Sequence, residues 1–107
     1  MAAGIVLALR YLRGARASFV AIAHGLLGAG GLACLIVALR GPRRGEAMGV
    51  GSFGTAAAVL FAAALAIGPF IPLARRHATR FAGPVIAAHA SVAITAFVLF
   101  LAWASFG

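Results

Sequence analysis

Residues 82–106 read AGPVIAAHASVAITAFVLFLAWASF, 25 positions without a single Asp, Glu, Lys or Arg. At about 1.5 Å per residue, a helix of that length exceeds the ~30 Å hydrocarbon layer of a bilayer. Lipid offers no hydrogen bonds, so a spanning segment must close its own backbone N–H and C=O groups as a helix. Residues 17–39 and 49–73 are equally free of formal charge. The expected fold is therefore all-α: a single membrane domain over 1–107 with three transmembrane helices at 17–39, 49–73 and 82–106. Residues 1–16 precede them as a short interfacial segment. Ala2–Leu12 is apolar, but Arg10 and Arg13 keep it from spanning.

Composition agrees. Hydrophobic residues make up 64% of the 107 positions and charged residues only 9%, with a mean hydropathy of +1.13. Soluble domains carry about a quarter charged residues. Nine cationic residues, all Arg, face one acid, Glu46, for a net charge of +8. The arginines sit between long apolar runs, which fits membrane topology better than nucleic-acid binding. One acid excludes paired-carboxylate catalysis within the chain. One cysteine, Cys34, excludes an internal disulfide and reads as a small apolar residue.

The arginines also set an orientation. Arg10, Arg13, Arg16, Arg75, Arg76 and Arg80 fall on one side of the membrane, and Arg40, Arg43 and Arg44 on the other. The excess places the N-terminus and the second link in the cytoplasm and the C-terminus in the periplasm. The Ala-, Gly- and Arg-rich usage points to a bacterial cytoplasmic membrane. The N-terminal apolar stretch is followed rather than preceded by arginine, the wrong order for a signal peptide. Gly41-Pro42 stops the first helix, and Gly68-Pro69 with Pro72 reads as a kink near the end of the second. Trp103 and Phe106 fit an interfacial aromatic belt, and Tyr11 a surface anchor. Ser91 and Thr95 read as residues that bond backbone or pack between helices.

Histidines carry the functional signal. His77 lies in the arginine-rich link, but His24 and His89 lie inside the first and third spans. A polar side chain in the membrane marks a functional hypothesis. His24 follows Arg16 by eight residues and His89 follows Arg80 by nine. Both therefore stand about 12 to 13.5 Å into parallel helices that start from one face. Each begins the same pattern: His24, Gly28, Gly31 and His89, Ala93, Ala96. Positions i, i+4 and i+7 share a helix face, so each imidazole heads a smooth stripe beside which a flat macrocycle has room. Two such imidazoles suit the axial positions of one haem b, with Arg16, Arg76 and Arg80 placed to meet its propionates.

Other readings stay open. Small residues are the ordinary packing surface of membrane helices, and an intramembrane histidine can serve as a hydrogen-bond donor to a neighbour. Two imidazoles alone leave a zinc or copper site incomplete. A chlorophyll-type pigment needs one histidine per magnesium.

With His24-Gly25-Leu26-Leu27-Gly28, His89 and three spans, the chain resembles the membrane anchors of respiratory dehydrogenases and other small b-type cytochromes. That resemblance implies haem and quinol-linked electron transfer. It covers the architecture and a few motif residues. Anchors of succinate dehydrogenases usually draw the two ligands from two chains, whereas both would come from one here, and no Ser and Arg constellation of a quinone site stands beside either histidine.

The expectation is a membrane electron-transfer subunit, not catalytic alone, working with lipid, other membrane subunits or a second copy, and a quinone; nucleic acid is not expected. A cofactor-free accessory or assembly subunit is the competing expectation, and transport a weaker third.

Overall fold

The computed structural model describes residues 1–14 and 18–106. Five helices follow in order, α1 (Ala2–Leu12), α2 (Ser18–Leu39), α3 (Phe53–Ile67), α4 (Phe70–His77) and α5 (Thr79–Ser105), with no strand among the described residues. Phe19–Leu39, Phe53–His77 and Thr79–Ser105 are each long and apolar enough to cross a membrane. The chain is a multi-pass membrane protein. Its outer surface is apolar, with Phe19, Leu26, Leu27 and Val37 largely exposed, as expected where the surrounding solvent is hydrocarbon.

Helix α3 is the centre of the bundle, packed against α5 on one side and α2 on the other. Its inward residues are Gly54, Ala57, Phe61, Ala64 and Gly68, spaced by three and four; Gly54, Ala57 and Ala64 are buried. On α5, Ala82, His89, Ala96 and Trp103 recur every seven residues, and Ala82, Ala96 and Trp103 are buried. A repeat of 3.5 residues keeps one seam facing a partner along its length. The small side chains let the two backbones approach closely, where dispersion rather than hydrophobic transfer holds membrane helices together.

Trp103 closes this seam at one end, beneath the Arg44 guanidinium, which lies 5.9 Å from the centre of its ring. The indole is only 5% exposed and packs into a cluster with Leu35 and Ala57, surrounded by Leu39, Phe53, Phe61, Leu99 and Phe100. Gly54 makes the space: a Cβ there would stand 2.7 Å from Cε2 of Trp103 and 2.8 Å from Cδ2 of Leu39. Phe106 is exposed.

The connections shift the expected boundaries. The second span starts at Phe53 rather than at 49, because residues 45–52 are taken up by tight turns. Gly45 and Gly49 both adopt positive φ (72° and 73°), and Val50 N–H donates to the Gly45 carbonyl at 2.8 Å. Glycine alone enters that region without steric cost. Gly68-Pro69 does more than kink the second span: it separates α3 from α4, and α4 runs on to His77 instead of ending near 73. Arg75, Arg76 and His77 thus lie in the last turn of a helix, and only Ala78 stands between α4 and α5.

Helix α1 is distinct from α2. Gly14 turns the chain at φ 69°, and α1 packs against α2 with Gly4 beside the His24 ring. The N-terminal segment is therefore docked on the bundle rather than lying apart from it.

Candidate functional site

Helix register brings His24 and His89 together. Along the α2–α3 contact, Gly28 meets Leu65, and Leu35 clusters with Ala57. Along the α3–α5 contact, Gly54 lies under Trp103, and Gly68 lies beside His89. Both series run antiparallel, so both histidines reach the level of the Gly68-Pro69 break. Their ring centroids are 6.0 Å apart, at 76° between planes. That separation and inclination are those of an edge-to-face ring pair, close enough for one ligand to reach both rings. The matched depths read from the sequence thus correspond to a side-chain pair.

Backbone chemistry fixes one ring. His89 Nδ1 lies 2.8 Å from the Ala64 carbonyl oxygen. A carbonyl only accepts, so Nδ1 carries the proton and donates it, and Nε2 keeps a free lone pair. This is the arrangement by which second partners orient a ligating imidazole. The same Ala64 carbonyl accepts from Gly68 N–H at 3.0 Å, since the last turn of α3 still closes just before Pro69. Gly68 lies beside the same ring; a Cβ built there would be in ordinary contact with His89 Cε1 at 3.7 Å. His24 is bounded on its other side by Gly4 of α1.

The flanking residues divide. On α2, a Cβ at Gly31 would meet nothing within 4 Å, and one at Gly28 would meet only Leu65 Cδ1 at 3.8 Å. That flank of the histidine pair is open. On α5, Ala93 is half-buried and Ala96 is fully buried, sealed in the helix seam. Small residues with the same spacing therefore do different work: Ala96 permits close packing, whereas Gly31 borders space. Thr95 Oγ1 donates to the Ser91 carbonyl at 2.8 Å, as expected of an intramembrane hydroxyl.

Around the same end stands a cationic rim. Arg75 lies over the Tyr11 ring at 5.1 Å, joining α4 to α1, and Arg80 lies over Phe81 at 4.7 Å. Arg76 is exposed beside His77, where both border a shallow depression with Pro69, Pro72 and Leu73. Arg16 lies outside the described residues. Cys34 is free and exposed on α2. No group of three or more His, Cys, Asp or Glu side chains that could hold a metal ion occurs among the described residues, so neither His77 nor Cys34 completes a metal site with the histidine pair.

Several contributors leave little trace in the sequence. Ala64 acts through its carbonyl, Gly68 through the N–H that shares that carbonyl, and Gly4 from a segment remote in sequence. The 3.5-residue repeat on α3 and α5 is the signal that aligns His89 with Ala64. No family model matches the chain, and neither curated proteins nor solved structures provide a significant match.

Proposed function

We propose that this chain is a membrane electron-transfer subunit that holds one haem b through His24 and His89. The observation that carries this reading is the 6.0 Å approach of the two imidazoles, one of them oriented by the Ala64 carbonyl. The open flank at Gly28 and Gly31 supports it, because a flat macrocycle must lie beside the ligand helices. Arg76 and Arg80, with Arg16, are the cations for the propionates. A haem iron held by two histidines has no free position and supplies one-electron transfer rather than oxygen binding. The chain's own part is to orient Nε2 of His89 through the Ala64 carbonyl, exclude water with apolar helices, and present a cationic rim.

In this reading the protein sits in a bacterial cytoplasmic membrane with its N-terminus cytoplasmic, since six of the nine arginines lie on that side. Its exposed apolar faces are covered by lipid and by further membrane subunits or a second copy, with a quinone as redox partner. Two observations favour a second reading, a cofactor-free accessory subunit: the sealed position of Ala96 and the His89 hydrogen bond are both explained by helix packing alone.

A reduced-minus-oxidised absorption spectrum separates the two, taken on protein expressed with adequate haem and purified with its native partners. A b-type spectrum with one pyridine haemochrome equivalent per chain, lost in both His24→Ala and His89→Ala, supports the cytochrome. A folded, colourless protein overturns it and leaves the accessory subunit.

A further inference from the structure

Gly4 of α1 abuts the Cε1 end of the His24 ring. A Cβ built at Gly4 would stand 3.4 Å from Cε1, 3.9 Å from Nε2 and 4.0 Å from Nδ1. Glycine therefore leaves this edge of the ring free of any side chain from α1 while α1 lies beside it. A ligating imidazole must be held in one orientation. His89 has its Ala64 carbonyl for this purpose; among the described residues, His24 has no hydrogen bond that fixes it.

Helix α1 is held at both ends. Gly4, Leu7 and Tyr11 are spaced i, i+3 and i+7, share one face, and are less exposed than Ile5, Ala8 or Leu12. Tyr11 lies under the Arg75 guanidinium of α4 at 5.1 Å. The helix thus bridges α2 and α4 beside the histidine pair. It buries no residue completely, so it covers the site without being part of the bundle core.

We infer that α1 is the cover of the His24 side of the two-histidine site, and that position 4 must stay small for α1 to close beside the His24 ring. The inference rests on the haem reading for the identity of the ligand. Only a small residue serves at position 4. An alanine methyl at 3.4 Å is in ordinary contact, whereas a leucine must displace either the ring or α1.

Two measurements test this. The first is a nuclear Overhauser contact between Gly4 Hα and His24 Hε1 in the haem-free chain in detergent micelles; it is expected to be present. The second compares haem affinity and spin state in wild type, Gly4→Ala, Gly4→Leu and the outward-facing control Ala8→Leu. Gly4→Leu is expected to weaken haem retention about 10-fold or more, the scale for groups that orient a ligating imidazole, and to raise the high-spin fraction. Gly4→Ala is expected to lose far less than Gly4→Leu, and the outward-facing Ala8→Leu is expected to match wild type. Fluorescence of Trp103, the sole tryptophan and at the opposite end of the bundle, reports that each variant is folded.

Absence of the Overhauser contact, or a Gly4→Leu chain with unchanged haem affinity and spin state, overturns the role of α1 while the haem reading stands. A wild-type chain that takes up no haem overturns the haem reading, and with it the role of α1 as cover.

Discussion

The two ends of the bundle are built on opposite principles. At one end, Trp103 fills the space above Gly54 and is ringed by Leu35, Leu39, Phe53, Phe61, Leu99 and Phe100. At the other, large side chains give way to Gly4, Ala64 and Gly68 around two imidazoles, beside a helix break and a cationic rim. Dense aromatic packing gives a membrane bundle its fixed arrangement, since hydrocarbon outside offers no hydrophobic force to press helices together. Sparse packing around polar groups leaves room and directed lone pairs. The difference predicts that substitutions at the Trp103 end change stability, and substitutions at the histidine end change binding.

Trp103→Ala is the strongest test of that division. Removing a buried indole is expected to cost about 3 kcal/mol, read as an earlier loss of helical circular dichroism during SDS titration. On the proposed cytochrome reading, haem content per folded chain is expected to hold. A simultaneous loss of haem from the folded fraction breaks the comparison, because it shows the ends to be one cooperative unit. Gly54→Ala reaches the same end from the other side. Its methyl would overlap Trp103 and Leu39, with an expected cost of about 2 kcal/mol and a shift in Trp103 fluorescence.

Gly45→Ala probes the turn that frames the Trp103 end. Gly45 has φ 72°, and a Cβ there would stand 2.5 Å from Cγ2 of Val50. A cost of about 1 to 2 kcal/mol is expected from the left-handed backbone alone, measured by the same titration. His89→Ala is expected to cost only about 0.6 kcal/mol, the usual worth of an intramembrane side-chain hydrogen bond, while abolishing the b-type spectrum. A loss several times larger marks His89 as a structural residue first and favours the accessory subunit. The smallest effect belongs to Arg43→Ala. Its ion pair with Glu46 at 3.1 Å joins side chains that are 86% and 60% exposed, so a change below about 0.5 kcal/mol is expected in a denaturant series.

Much of this architecture is legible in the chain itself. Charge-free runs give the three spans, because the thickness of a bilayer and the need to satisfy backbone polar groups leave few alternatives. The matched depths of His24 and His89 follow from counting residues, and the rings do meet. The His-x3-small-x2-small pattern is less decisive. It treats Gly31 and Ala96 as equivalents, yet one borders open space and the other is sealed against α3. Spacing names a helix face without naming what that face meets. Trp103 shows the same limit: a position near a helix end suggests its depth, but only the glycine across the seam reveals that its ring is buried.

The sequence by itself determined that this protein crosses a membrane and that two imidazoles lie at one depth, since hydropathy and helical rise are local quantities summed along the chain. Tertiary structure alone decided which helix lies between the other two, that Ala64 orients His89, and that α1 returns to rest against His24. Those outcomes depend on which backbones can approach closely, and a glycine or alanine reveals that only when its partner is in place.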